Sequence, residues 1–283
     1  MAEETSVITK AKTRKPSAPI KWHGGKTYLA AAIVEMMPVH VHYVEPFFGG
    51  GAVFFRKPDE LIEGHSEVIN DVYAELVNFW RVLQTAEHFE AFQREVFATP
   101  FAKPVWEASL SGKHQDPVRQ AVAFFVRYRQ SRQGIGRDFA TMSRNRTRRG
   151  MNEQVASWLS AIEGLPAAHE RLSRVAIFCD DACQLIRRED GSNTFHYCDP
   201  PYLPQTRVTN DTYAFEMGTE QHEELLETLG SIEGTMLLSG YRNELYDAAA
   251  KRYGWKRRDI KIDNKASSQK TKPIKVESIW SNF

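Results

Sequence analysis

The chain has 283 residues, a 42% apolar share and a net charge of +1. This is ample for a sizeable core and for more than one domain, and it excludes a globally basic nucleic-acid binder, so any phosphate-binding surface must be local. No apolar run approaches the ~20 residues of a membrane span, and three cysteines (Cys179, Cys183, Cys198) with no secretory leader point to a reduced, cytoplasmic setting.

Residues 1–18 are polar and carry Lys10, Lys12, Arg14 and Lys15, which reads as a flexible basic tail. Next comes Ile20-Lys21-Trp22-His23-Gly24-Gly25-Lys26-Thr27. Gly25-Lys26-Thr27 invites a phosphate-loop reading, but that loop needs a glycine where Ile20 stands. A helix is expected from Thr27 to Met37, with Leu29, Ile33, Met36 and Met37 on one face and Pro38 ending it. Trp22 and Lys26 then lie at its mouth, an aromatic wall and a cation placed to meet a carboxylate ligand.

Val41 to Glu45 reads as a strand running into Pro46-Phe47-Phe48-Gly49-Gly50-Gly51, followed by an apolar helix start at Ala52 to Phe55. Strand, glycine turn and helix open a doubly wound nucleotide-binding sheet. The last glycine of the dinucleotide pattern is replaced by Phe54, which argues against a pyrophosphate lying on the helix. A second strand, Glu67 to Asn70, ends at Asp71, twenty residues after Gly51, where an acid is placed to accept from ribose hydroxyls. A helix from Val72 to about Gln84 follows, with Leu76, Phe79, Trp80 and Leu83 as its buried stripe.

From Thr85 to Arg171 strand signals vanish and helical runs appear at His88 to Phe97, Pro117 to Arg129 and Glu153 to Ile162. Between Val118 and Arg149 lie Arg119, Arg127, Arg129, Arg132, Arg137, Arg144, Arg146, Arg148 and Arg149, with Asp138 the only acid. Gln130, Gln133 and Asn145 intersperse them. A solvated helix face normally mixes signs, so this run reads as a nucleic-acid patch whose arginines and amides suit guanine and adenine edges.

Strands return at Arg174 to Cys179, ending in Asp180-Asp181, and at Thr194 to Cys198. The latter runs into Asp199-Pro200-Pro201-Tyr202. Two prolines without backbone donors leave a carboxylate and carbonyl acceptors beside a ring, a site suited to a planar group bearing an NH2. The rival is a strand stopping at an Asp-Pro turn. A zinc site from Cys179, Cys183, His196 and Cys198 matches no common ligand spacing. A loop from Leu203 to Met217 carries Arg207, Asn210, Tyr213 and Phe215. Thr219 is expected to cap a helix to Leu229, with Gly230 after its end. A strand at Thr235 to Ser239, a helix at Asn243 to Tyr253 and two strands, Arg258 to Ile262 and Val276 to Trp280, complete the chain. The last two flank a loop with Lys265, Lys270 and Lys272 that reads as solvated.

Lys21-Trp22 with Gly24-Gly25-Lys26, Glu45-Pro46-Phe47 with Gly49 and Gly51, Asn70-Asp71 and Asp199-Pro200-Pro201-Tyr202 occur in that order. The series resembles the DNA adenine methylase (Dam-like) family of S-adenosylmethionine-dependent amino-methyltransferases, from about Ile20 to the end, and Val276 to Trp280 is similar to that family's last strand. The resemblance implies an α/β fold, a Rossmann-like doubly wound seven-stranded sheet. Residues 19–84 and 172–283 would form the catalytic domain, and residues 85–171 a mostly helical inserted target-recognition domain.

The resemblance further implies that Trp22 and Lys26 hold the methionine end of S-adenosylmethionine, Lys26 on its carboxylate. Glu45, Pro46, Phe47, Gly49 and Gly51 form the turn beneath it. Asp71 would take the ribose and Asp181 the cofactor adenine, with Asp180 competing. Asp199 and the Pro200 carbonyl would bind the target amine within the Asp199-Pro200-Pro201-Tyr202 motif, and Tyr202 would stack on the target base. Arg127, Arg129, Arg132, Gln133, Arg137, Arg144, Arg146 and Arg148 would contact double-stranded DNA, the protein acting as a monomer. Neither metal nor covalent enzyme intermediate is required. Methylation of a cytosine amine, an inactive DNA-binding relative, RNA or protein as substrate, and a partner restriction nuclease stay open at this point.

Overall fold

The computed structural model describes residues 16–58, 62–111, 114–204, 215–262 and 275–283. The basic tail side chains, Arg207, Asn210, Tyr213 and the Lys265–Lys272 loop lie outside them. In chain order the elements are α1 (Ala30–Met36), β1 (His40–Glu45), β2 (Ile62–Asn70), α2 (Ala74–Gln84), α3 (Ala86–Ala98), α4 (Lys103–Leu110), α5 (Pro117–Arg129), β3 (Thr147–Arg148), β4 (Met151–Asn152), α6 (Glu153–Leu172), β5 (Ala176–Phe178), α7 (Ala182–Glu189), β6 (Thr194–Cys198), α8 (Thr219–Gly230), β7 (Thr235–Gly240), α9 (Glu244–Tyr253), β8 (Lys256–Ile262) and β9 (Lys275–Ser281).

Seven strands form one sheet in the order β5-β2-β1-β6-β7-β9-β8. The first five run parallel, and β9 is antiparallel to both β7 and β8. The chain moves outward from β1 through β2 to β5, then returns to place β6 against the other side of β1. The strand order therefore reverses between β1 and β6, the point where a doubly wound sheet opens its ligand crevice. Every residue of β6 is buried, as expected of a central parallel strand covered on both faces.

The two faces divide by strand alternation. Tyr43, Ile69, Phe195, Tyr197, Leu237 and Ile279 pack with α1, α2 and the helices α3–α6. Cys198, Met236, Leu238 and Trp280 pack with α7, α8 and α9. The helical stretch after α2 thus shares an unbroken apolar core with the sheet, through Phe79, Phe92, Phe124, Phe125 and Trp158.

Several boundaries differ from the sequence reading. The segment after the glycine turn is only a 3-10 turn, Phe54–Arg56, because Phe54 and Phe55 are pulled into the core and the chain leaves at Lys57. Helix α1 starts three residues later than expected. Gly218, not Thr219, caps α8, and Gly230 is its last residue. Helices α4 and α7 carry too few turns for a clear period.

Candidate active site

The site forms where β1 and β6 end side by side. Asn70, the last residue of β2, ties three loops together. Its Nδ2 donates to the carbonyls of Pro46 and Asp180, each at 3.0 Å, and its Oδ1 accepts the Asp180 N–H at 2.8 Å. The loops after β1, β2 and β5 are thereby fixed around one opening.

The turn after β1 closes through Gly51 N–H to Phe48 O, 2.8 Å. Gly49 and Gly51 take left-handed φ values of 49° and 68°, a conformation natural to glycine. Space is as restrictive: a Cβ on Gly49 would lie 2.7 Å from Trp22 Nε1, and one on Gly51 2.6 Å from the Phe48 ring. Asp71 holds the turn from outside, accepting the Gly49 N–H at 2.9 Å and the Tyr73 N–H at 3.0 Å. Burial pushes its carboxyl up, and the N–H donors of Tyr73 and Gly49 oppose that.

Glycine turn, Asp71 and the segment after β6 enclose a cleft of about 1360 Å3, its mouth included. Trp22, Lys26, Glu45, Pro46, Phe47, Gly49, Gly51, Asp71, Asp181 and Asp199 all line it. Pro200 and Pro201 line it as well. Asp181 also accepts the Gln184 N–H at 2.9 Å as the N-cap of α7, while Asp180 binds Arg188 at 2.9 Å.

Two side chains are placed otherwise than expected. Lys26 is not left open for a ligand carboxylate. Its Nζ lies 2.7 Å from Asp199 Oδ1, 3.1 Å from the Gly24 carbonyl and 3.4 Å from Glu277 Oε1, which accounts for its three protons. Burial works against the charge, but Asp199 and Glu277 outweigh it and the Lys26 pKa is raised. Tyr202 is turned inward. It is 7% exposed, its hydroxyl donates to Glu277, Lys26 sits 4.7 Å from its ring centroid, and Tyr241 meets it edge-on at 4.7 Å. The rings that do line the cleft are Trp22, Phe47, Phe48, Tyr73, Tyr197 and Phe215.

Around Asp199 the environment is acidic and largely buried. Burial raises the Asp199 pKa, with Lys26 opposing. Glu45, 2% exposed at the end of β1, is pushed well above the carboxylate range by burial, although the Tyr43 hydroxyl donates to it at 2.7 Å.

One cleft thus brings together a glycine turn, Asp71 and the Asp199-Pro200-Pro201 segment. The family model of the D12 class N6 adenine-specific DNA methyltransferase matches residues 22–263. This chain belongs to that family. A DNA adenine methylase of Salmonella typhi is 26% identical over 247 residues, covering 82% of this chain and 83% of the relative. The DNA adenine methylase of Escherichia coli K12 is 27% identical over 209 residues, 70% of this chain and 69% of the relative. A DNA N-6-adenine-methyltransferase of Escherichia phage P1 is 27% identical over 242 residues, 78% of this chain and 29% of the relative.

In this D12 class chain the arginine run divides. Arg127 and Arg129, read above as DNA contacts, are structural. Arg127 forms an ion pair with Glu75 and donates to the Tyr73 hydroxyl at 3.3 Å. Arg129 donates to the Ser157 carbonyl at 3.0 Å, and burial lowers its pKa to about 10. Both sit in the last turn of α5, against α2 and α6, where charge counting is blind to burial. Arg132, Gln133, Arg137, Arg144, Arg146 and Arg148 are exposed. Arg146 is 3.7 Å from Glu153. Gln133 has a positive φ of 57° beside Gly134, whose Cα leaves no room for a Cβ against the Lys21 carbonyl, 2.6 Å away. The exposed cations therefore follow α5 in a loop docked on the Lys21-Trp22 wall of the cleft.

The sequence reading gave no role to Glu277, Tyr73 or the Asn70 clamp. Glu277 carried one usable signal: an acid heading the apolar run Ile279-Trp280 of a core strand.

Proposed function

We propose that this protein transfers a methyl group from S-adenosylmethionine to the exocyclic amine of an adenine flipped out of duplex DNA. The observation that carries the reading is the opening of the Asp199-Pro200-Pro201 segment onto the same cleft as the Gly49–Gly51 turn and Asp71. The family is adenine-specific, so the cytosine alternative is not favoured.

The fit to the cofactor rests on three features. The cleft is concave and sets aromatic walls beside a few convergent polar groups, as small-molecule sites do. The glycine turn lets a ligand approach the backbone where any Cβ would collide. Asp71 takes N–H donors from Gly49, Tyr73 and Val72, fewer than its roughly four lone-pair sites, which leaves room for a ribose hydroxyl. Trp22 and the backbone around Gly24 and Gly25 would face its methionine end. The cofactor supplies an electrophilic sulfonium methyl.

The chain's own contribution is positioning and charge. A flipped base costs a few kcal/mol of unstacking, and the cleft's aromatic lining offers ring faces in return. Asp199 and the Pro200 carbonyl accept the amine hydrogens, so the nitrogen lone pair is freed from the ring and aimed at the methyl. Transfer would form the N–C bond as the S–C bond of the donor breaks, and the extra proton would then pass from nitrogen to solvent. Lys26 fixes Asp199 and favours its anionic form against the effect of burial. The exposed arginines from Arg132 to Arg148 would bind phosphates and set register.

Asp199→Ala should reduce methyl transfer by about 100- to 1000-fold while DNA affinity stays within about threefold. A tritiated-methyl assay beside a gel-shift titration reads both. Retained methylation would remove Asp199 from the mechanism.

A further inference from the structure

Glu277 lies on β9, away from the Asp199-Pro200-Pro201-Tyr202 segment, yet touches two members of the site. It is 3.4 Å from Lys26 Nζ and accepts the Tyr202 hydroxyl. Lys26 is itself bound to Asp199 at 2.7 Å. One ammonium thus serves two carboxylates, and the second carboxylate also holds the motif tyrosine. The strand itself gives no reason to bury an acid here. Glu277 is 4% exposed, it faces Ile260 across the β8 ladder, and Ile279 and Trp280 beyond it are core. A buried carboxylate is unfavourable unless paired, and its partners are Lys26 and Tyr202.

We infer that Glu277 is a positioning residue for methyl transfer: it holds Lys26 and Tyr202, and through Lys26 it sets the orientation and charge of Asp199. The inference rests on the reading of Asp199 as the acceptor of the target amine. Ionised Glu277 draws on Lys26 and leaves the Asp199 oxygens freer to accept amine hydrogens. Protonated Glu277 leaves the ammonium to Asp199 alone and weakens it as an acceptor. Burial pushes the Glu277 carboxyl up to about 7, with Lys26 opposing and Asp199 adding to the rise, so the change falls within assay conditions. The charged and titratable groups around it are few. Lys26 comes from the loop before α1, Asp199 and Tyr202 from the segment after β6, and Tyr241 from the loop after β7. Glu45 of β1 acts electrostatically on Asp199, and Tyr197 of β6 on Lys26. On β8, Asp259 is taken up by the Ser278 hydroxyl at 2.7 Å.

The test is single-turnover methylation at saturating S-adenosylmethionine from about pH 5.5 to about pH 9, for the wild type, E277Q, E277D, Y202F and D199N. The wild-type rate should rise with a midpoint near the Glu277 value of about 7. E277Q should lose that rise and stay at the low-pH rate, about tenfold below wild type in mild alkali, the worth of one charge-assisted contact. Its cofactor and DNA affinities should stay within about threefold, and E277D should restore the rise. An E277Q profile with the wild-type midpoint, or one lowered by the same factor at every pH, overturns the inference. Should E277Q fail to fold, Y202F decides, because removing a donor from the Glu277 anion should move the midpoint upward; an unmoved midpoint overturns it equally. D199N separates the two readings. Wild-type methylation by D199N removes the Asp199 role itself, whereas a silent D199N with an unchanged E277Q profile removes only the role of Glu277.

Discussion

At the scale of single residues, the chemistry turns on how few side chains fit each position. Gly49 combines a φ of 49° with an indole nitrogen 2.7 Å from any added Cβ. Gly49→Ala should therefore displace Trp22 and lower S-adenosylmethionine affinity by about tenfold or more in calorimetry, with a smaller loss of thermal stability. Unchanged affinity would mean that the turn does not approach the ligand. Such positions are legible in sequence because a glycine after a strand, an acid after the next strand and an Asp-Pro-Pro run each carry their own local reason. Glu277 and the engagement of Lys26 were not. Both depend on strands and loops that meet only in the folded sheet, with Lys26 and Asp199 173 residues apart.

At the scale of elements, periodicity found most helices and lost α4, α7 and the second half of α6. Pro166 interrupts the helical pattern, yet α6 runs on to Leu172. His169 Nδ1 lies 2.7 Å from the Leu83 carbonyl and Arg171 is paired with Glu67, contacts that hold the second half of the helix against the loss of a backbone donor. The arginine run shows the same limit. Its sign was legible, but the acids that neutralise part of it, Glu75, Glu153 and Glu163, lie outside the run. Arg129→Ala should lower stability by about 1–3 kcal/mol in urea titrations and leave the salt dependence of DNA binding unchanged. Arg144→Ala should do the reverse, reducing the slope of log affinity against log salt by about one. Interchanged results would contradict the division. Asp181 joins helix and cleft in one side chain. Asp181→Ala should cost about 1 kcal/mol as a lost cap of α7 and, on the reading of Asp181 beside the cofactor adenine, weaken S-adenosylmethionine binding as well. A stability loss without an affinity loss would leave Asp181 as a cap alone.

At the scale of the whole molecule, the helices after α2 and the sheet are joined by an apolar core and by one buried ionic knot. Glu67 of β2 is paired with Arg171 of α6 and with Lys57 at 2.8 Å. Burial disfavours the Glu67 anion, but Arg171 and Lys57 outweigh it and its pKa is lowered. A depressed carboxylate stabilises the fold above its unfolded value of 4.5 and loses that contribution as pH falls through the folded value. Arg171→Ala should thus cost about 3–5 kcal/mol at neutral pH, a penalty that shrinks with acidification below the usual carboxylate range. A pH-independent penalty would assign the loss to packing of Arg171 over the Phe54 ring, 3.8 Å away. This joint was invisible in sequence, where Glu67 and Arg171 are 104 residues apart. The doubly wound sheet itself was legible, because its strands are short apolar runs ending in turn residues and carboxylates.

The most direct test is mass spectrometry of nucleosides from DNA incubated with S-adenosylmethionine and either the wild-type protein or its Asp199→Ala variant. The account predicts N6-methyladenine with the wild type and none above background with the variant. Methylated cytosine from the wild type, or N6-methyladenine at undiminished yield from the variant, would contradict it.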